Sequence, residues 1–210
     1  SLSEFSKNFS LGVSTKVDIP NELIGIMPDR KWKKRNKGER WQRGETLNTV
    51  IGQGFMLATP LQITNMTAML ATGRKIKPKI LYNSDSIFEN TEISEESLSF
   101  IRKAMYSVVN ENEGTAYSSR ISGKYKLVGK TGTSQVRKIS KEERELGVLK
   151  NEELIYKLRD HSIFTGFAPY NKPKFAITVI AEHMGSGSKV AAPISNKIMK
   201  FSLKNFFKTS

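Results

Sequence analysis

The chain has 210 residues, 38% hydrophobic and 26% charged, an ordinary globular balance with enough length for a sizeable core. It has no cysteine and two isolated histidines, His161 and His183, which excludes disulfides and thiolate metal sites and leaves too few ligands for a usual zinc site. The net charge of +14 and pI near 9.9 fit a polyanionic partner or an anionic envelope setting, and the wide spread of the basic residues favours the setting.

No segment reaches the roughly 20 apolar residues that span a bilayer, and the N-terminus lacks a signal-peptide pattern. The sequence begins at Ser1, not at methionine, so a piece of a longer protein is expected, with any targeting segment upstream.

The first 55 residues are rich in Gly, Pro, Asn and charge and read mostly as loop. Within them "DRKWKKRNKGERWQR" (Asp29 to Arg43) interleaves two tryptophans with basic residues, a pattern that can stack on single-stranded bases but reads better as a solvated loop. Thr59 and Pro60 then open a helix that Gly73 closes, with Leu61, Met66, Met69 and Leu70 on one face. A second helix is expected over Ser94 to Gly114, with Leu98, Ile101, Met105, Val108 and Val109 as its apolar stripe.

From Lys124 the pattern becomes β-like in "YKLVGKTGTSQV", "HSIFTGFAPY" and "KFAITVIAEH", with Pro173 marking a turn between the last two. Arg137 to Asp160 is too charged for a core and reads as a surface excursion with helical spacing in Leu154, Ile155 and Leu158. The tail from Ser188 to Phe207 places Val190, Ile194, Ile198, Phe201 and Phe206 on one side of a closing amphipathic helix.

"GKT" at Gly129 to Thr131 raises phosphate binding, but the Lys124–Val128 stretch separating Gly123 from Gly129 is one residue too long for a P-loop, and strand continues where a helix should begin. Acyl transfer at serine is the other chemistry, since K-T-G is the third member of the set S-x-x-K, S-D-N and K-T-G. Lys130 supplies fixed positive charge, and the Thr131 and Thr133 hydroxyls suit a carboxylate. Gly132 lets a substrate backbone lie along the strand, and a backbone N–H near Thr133 can face a developing oxyanion.

"IGQGFMLATPLQ" (Ile51 to Gln62), "NEGTAY" (Asn112 to Tyr117), "GKTGTSQV" (Gly129 to Val136) and "LRDHSIFTGFAPYNKPKFAI" (Leu158 to Ile177), in this order, resemble the C-terminal part of the transpeptidase domain of class B penicillin-binding proteins. The "RDH" and "WKKRNKGERWQRGETLNTVIGQG" stretches are similar to the elongation-type subgroup, penicillin-binding protein 2. The resemblance covers essentially the whole chain, read as residues 1–210 of one incomplete domain.

It implies an α/β fold of the α+β type, an antiparallel sheet flanked by helices, with the site on the edge of the strand bearing Lys130. It also implies a peptidoglycan D,D-transpeptidase that cross-links stem peptides through an acyl-serine, is acylated by β-lactams, and needs no cofactor or metal. Lys130 would be the catalytic residue, and Thr131, Gly132 and Thr133 would bind substrate. Such proteins are anchored in the bacterial inner membrane, face the periplasm and partner a membrane-embedded glycan polymerase; no nucleic acid is involved.

The sequence departs from the family in lacking both earlier serine motifs in a matching place. "SGSK" (Ser186 to Lys189) fits S-x-x-K but lies in a glycine-rich turn, and Ser6-Lys7-Asn8 fits S-x-N but reads as surface; Ser134 is on the wrong element for a nucleophile. A non-catalytic cell-wall or partner-binding domain of the same fold is the alternative. Gln53 either shapes the floor of the family's cleft or belongs to a tight loop before the Pro60 helix, Thr59 caps that helix, and Gly114 and Tyr117 form a helix end beside the site or a plain C-cap. Asp160 and His161, adjacent on a strand, should point apart and make structural hydrogen bonds.

Overall fold

A computed structural model describes residues 1–81, 89–137 and 139–208. They gather into two compact units, Ser1–Glu95 and Glu96–Ser210.

The first unit carries α1 (Leu2–Lys7), α2 (Arg30–Lys37), α3 (Arg43–Val50) and α4 (Pro60–Thr72), followed by a short antiparallel ribbon of β1 (Arg74–Lys75) and β2 (Glu89–Asn90). Most of the first 55 residues lie outside these helices, as expected, and the basic stretch is largely solvent-exposed, but its Arg30–Lys37 part is helix where loop was expected. The reason lies at its ends and in its middle. Asp29 Oδ1 accepts the Trp32 N–H at 2.7 Å, and Gly38 ends α2 at φ 72°. Lys33, only 3% exposed, reaches Glu45 at 2.5 Å and Glu39 at 3.2 Å, so one member of the charge run is a buried, doubly paired cation. Ser6 is a further correction: it is buried, its hydroxyl donating to Leu2 O at 2.8 Å within α1, whereas Asn8 is exposed as expected.

α4 follows its sequence signals. Thr59 and Gln62 form a reciprocal capping box, Pro60 begins the helix and Gly73 ends it at φ 70°. Met69 packs with Phe9 and Leu11, flanked by Met66 and Leu70. The same helix buries Gln62 completely, and its Nε2 lies within hydrogen-bond distance of the carbonyl oxygens of Ser10, Val13 and Ile24 at 2.7, 2.9 and 2.9 Å. Its Oε1 accepts the Thr59 N–H at 3.0 Å, so one amide joins the cap of α4 to an irregular loop.

The second unit carries α5 (Glu95–Asn110), β3 (Val128–Ser134), α6 (Lys141–Leu146), β4 (His161–Ala168), β5 (Phe175–Ala181) and α7 (Ala191–Phe206). The sheet order is β3-β4-β5, antiparallel throughout, and α7 packs on β4 and β5. Val109 of α5, Leu127, Phe164, Ala168 and the inner residues of α7 form the core. The sheet and the helices α4, α5 and α7 thus agree with the α+β expectation.

α7 forms where expected but turns the other face inward. Ala191, Ala192, Ser195, Met199 and Leu203 are buried, while Ile194, Ile198 and Phe201 are exposed, Phe201 to 69%. Small residues bring the start of the helix close to the sheet, and Ser195 loses little by burial because its hydroxyl donates to Ala191 O at 2.9 Å. Phe206 meets Phe175 of β5 edge-on at 5.5 Å.

The excursion between β3 and β4 is largely exposed as expected, with residue 138 outside the described residues. Its helix is α6, however, and Leu154, Ile155 and Leu158 lie in and beside short 3-10 turns at Asn151–Glu153 and Tyr156–Leu158. Side-chain bonds to the backbone shape it instead: Asn151 Oδ1 accepts the Asp160 N–H at 2.8 Å, and Arg159 Nε donates to Leu154 O at 2.9 Å.

Candidate functional site

β3 runs along one edge of the three-stranded sheet, bonded to β4 with Lys130 opposite Thr165, Thr131 opposite Phe164, Gly132 opposite Ile163 and Thr133 opposite Ser162. Why the strand sits so close to β4 is legible in its glycines. Gly129 faces Gly166, and the Phe164 ring lies across the pair, so a Cβ at position 129 would run into the ring and into Thr165 O. The fully buried Phe164 anchors this register in the core.

Lys130 is exposed, and its ammonium donates to Thr131 O at 2.7 Å. The Thr131 hydroxyl lies 3.0 Å from the Thr115 hydroxyl. Thr115 comes from the turn after α5, which is docked by the Ala116 N–H on Val108 O at 3.0 Å and by the complete burial of Ala116. Gly114 is required there because any Cβ would collide with the Ser107 and Val108 carbonyls. Thr115 thus joins the expected residues Lys130, Thr131, Gly132 and Thr133. It stood inside "NEGTAY", and the glycine before it was the signal that this turn is tightly placed.

A second element clamps the strand from the core side. Ser162, fully buried, donates its hydroxyl to Ser186 O at 2.9 Å and accepts the Ala191 N–H at 3.0 Å. That bridge seats Gly187 against the backbone of Gly132 and Ile163, where a side chain would overlap both carbonyls. Gly132 itself is closely packed, since a Cβ there would lie 3.3 Å from Ile163 Cβ. Glycine at 132 therefore has an internal packing reason in addition to any substrate that passes the edge.

The "SGSK" match meets this strand through Gly187 and not through a serine–lysine pair. Ser186 pairs with Ser188 at 2.9 Å, and Lys189 points to Glu152 at 3.7 Å, which leaves "SGSK" as a turn before α7. Ser134 ends β3 opposite His161. Asp160 and His161 part as expected. Asp160 accepts from Asn151 Nδ2 at 3.2 Å and from the Val136 N–H at 3.4 Å, while His161 Nδ1 accepts the His183 N–H at 2.9 Å. Gln53 sits between Gly52 and Gly54, at φ 75° and 79°, in a turn, and Thr59 is a cap.

Just past β3, Arg137 and Glu143 form a bidentate pair that ties α6 to the strand's end. The Arg137 guanidinium holds the Glu143 carboxyl below the usual range, and Glu143 in turn raises Arg137. Among the described residues no cluster of three or more His, Cys, Asp or Glu is placed to hold a metal.

Comparison with known proteins adds an independent line. The family described as "Penicillin binding protein transpeptidase domain" matches residues 1–200. The chain belongs to the penicillin-binding protein transpeptidase family. It is 33% identical over 215 aligned residues to peptidoglycan D,D-transpeptidase MrdA of Haemophilus influenzae, covering 96% of this chain and 32% of that protein. The MrdA of Escherichia coli is 32% identical, with 90% and 31% covered. Among solved structures, the penicillin-binding protein PBP2 of Helicobacter pylori in complex with MreC superposes with a TM-score of 0.83 at 37% identity, over 98% of this chain and 35% of that one. PBP2 of Pseudomonas aeruginosa in complex with WCK 5153 gives 0.77 at 32% identity, over 96% and 43%. The chain thus spans about a third of the length of the curated relatives it matches (32% of the Haemophilus protein), and it shares the fold of the family over nearly all its own length.

Proposed function

We propose that residues 1–210 are the C-terminal portion of one transpeptidase domain in a peptidoglycan D,D-transpeptidase of the elongation type. The observation that carries this reading is the edge strand presenting Lys130, Thr131, Gly132 and Thr133, with Thr131 held by the Thr115 hydroxyl.

On this reading the edge receives a stem peptide in extended form. Lys130 releases the Thr131 carbonyl and pairs with the peptide's terminal carboxylate, and the Thr131 and Thr133 hydroxyls donate to the same group. A serine supplied from outside these 210 residues attacks the penultimate carbonyl, whose oxygen is stabilised by backbone N–H near Thr133 as it becomes negative. The C–N bond breaks, the terminal residue leaves as an amine, and an amine of a neighbouring stem then displaces the serine. A β-lactam enters the same edge and stops at the acyl-serine. Lys130 and its neighbours position the acyl donor; nucleophile and base come from elsewhere, and most of the rate comes with them.

A glycan polymerase of the elongation machinery is the proposed partner, on the periplasmic face of the inner membrane. No helix among the described residues is long and apolar enough to cross a membrane. MreC, seen with the Helicobacter protein, is a candidate partner by likeness.

The test is labelled penicillin added to the full-length product of the gene, with the adduct mapped by mass spectrometry after digestion. A single acyl-serine outside residues 1–210 is expected, slowed by substitution of Lys130. An adduct on Ser134 or Ser186, or none at all, overturns the reading.

A further inference from the structure

The turn between β5 and α7 touches the strand that carries Lys130, and two histidines fasten it. His183 lies just past β5 in the left-handed region, at φ 58°, which is uncommon for a residue with a Cβ. Its backbone N–H donates to His161 Nδ1 at 2.9 Å, and its own Nδ1 lies 3.0 Å from Arg159 O. Two residues on, the Gly185 N–H donates to Asp160 O at 2.9 Å. The turn is thereby laid along the start of β4. It continues into Ser186, whose carbonyl accepts the Ser162 hydroxyl, and Gly187, which rests on Gly132 and Ile163. His161 itself lies opposite Ser134, next to the pairing of Ser162 with Thr133.

These bonds fix the protons on both rings. An Nδ1 that accepts an N–H carries no hydrogen, so neutral His161 has its proton on Nε2; a carbonyl only accepts, so His183 has a proton on Nδ1. The two rings therefore respond differently to acid. A second proton on His183 goes to Nε2 and leaves the bond to Arg159 in place. A second proton on His161 goes to Nδ1 and faces the His183 N–H, so an acceptor becomes a donor and the bond is lost. The ring centroids are 4.6 Å apart, so charge on one ring opposes charge on the other. The groups around the pair come from every neighbouring element. Tyr156 of the excursion sets its ring 5.1 Å from that of His183 and donates its hydroxyl to Glu182 O at 3.3 Å, the Glu182 side chain being exposed. Arg159, Glu152 and Lys189 line one cavity with His183, Glu152 being 3.7 Å from Lys189. The Asp160 carboxylate is engaged by Asn151 and the Val136 N–H, with Arg137 near enough to feel its charge.

We infer that His161 is a positioning residue for the β3 edge and makes that edge sensitive to acid: neutral, it fastens His183 and so seats Gly187 against Gly132; protonated, it releases the turn. Thr133 follows Gly132 directly, so a shift of Gly187 moves the backbone N–H that faces the developing oxyanion. The Ser162 hydroxyl stays on Ser186 O, so the edge is loosened and not dismantled. The effect on acylation rests on the transpeptidase reading given above, whereas the bond between His161 and His183 does not.

The experiment follows acylation of the full-length gene product by a fluorescent penicillin from about pH 8 down to about pH 5, the range over which histidine changes charge. Wild type should slow by about threefold or more in acid, the scale of one lost hydrogen bond. His161→Asn offers Oδ1 in place of Nδ1 and takes up no proton, so it should lack this step, and other titrating groups cancel in its comparison with wild type. His161→Phe keeps a ring without an acceptor and should be slower than His161→Asn at every pH. His183→Asn keeps the backbone N–H and should keep the step. The same acid step in His161→Asn as in wild type, or full neutral-pH rate in His161→Phe, overturns the inference; if His161→Phe does not fold, wild type against His161→Asn decides. A second measurement needs no acylation: hydrogen exchange at the His183 amide, read by mass spectrometry and corrected for the intrinsic effect of pH, should quicken in acid in wild type and not in His161→Asn. A wild type that takes up no penicillin at any pH removes the transpeptidase reading, and exchange then decides by itself, unchanged protection in acid overturning the release of the turn.

Discussion

The two units are held together by different means. In Glu96–Ser210 the centre is apolar: Phe164 bridges glycines of β3 and β4 and meets Leu127, Val109 and the small residues of α7. In Ser1–Glu95, among the described residues, Phe9, Leu11 and Met69 form a buried apolar cluster flanked by Met66, Leu70 and Ile76, and irregular loops are also fixed by buried polar side chains, above all Gln62 and Lys33. A sheet satisfies its backbone by strand pairing, so its interior can be left to hydrocarbon. Loops that cannot pair with a neighbouring strand need side chains to satisfy their carbonyls.

The comparison breaks if apolar truncation in the second unit is cheap. Phe164→Ala should cost about 3–5 kcal/mol, by lost burial and by the cavity left over Gly129 and Gly166, measured by urea unfolding. A loss below about 1 kcal/mol would show that the strand register does not depend on the ring.

Gln62 sharpens the other side. Gln62→Ala orphans the Ser10, Val13 and Ile24 carbonyls and should cost about 3 kcal/mol. Gln62→Glu keeps the shape but turns an ionised acceptor toward those oxygens, so its folded-state pKa must rise above the unfolded value. Its penalty is then small below the unfolded carboxylate pKa and grows as pH rises through that value, which a series of urea midpoints against pH would record.

For the Lys33–Glu45 pair, the Gln42 N–H and then Lys33 hold the Glu45 carboxyl below the usual carboxylate range. Its stabilisation is therefore full above the unfolded pKa and is lost as pH falls through the lowered folded value. Wild type should outlast Glu45→Gln near neutral pH, and the gap should close in acid. The smallest stability effect belongs to Thr115→Val, under about 0.5 kcal/mol at an exposed site. Penicillin acylation of the full-length product should nevertheless slow about fivefold, because the Thr131 hydroxyl loses its partner. A change in stability without a change in acylation would make Thr115 a packing residue only.

Some of this was readable in one dimension because its cause is local. Thr59, Pro60 and Gly73 bound α4 through their own backbone and cap chemistry, and β-branched alternation around Pro173 marked the β4–β5 hairpin. The K-T-G edge was legible from residue types in the same way. Thr115 was not, since its nearness to Thr131 depends on the docking of a turn after α5. α2 was missed because its charge hid a buried cation with remote acids, and no window sees Lys33 meet Glu45.

The amino-acid sequence by itself determined the helix caps, the strand pattern, the residues of the K-T-G edge and the family resemblance, all of which rest on chemistry within a few residues of chain. Tertiary structure alone decided which face of α7 goes inward: hydrophobicity chose Ile194, Ile198 and Phe201, and close approach to the sheet chose Ala191, Ala192 and Ser195. Burial is a property of the partner surface as well as of the side chain, and a helix seated on a twisted sheet buries the residues that let its backbone come near, even when larger apolar ones lie on the other side.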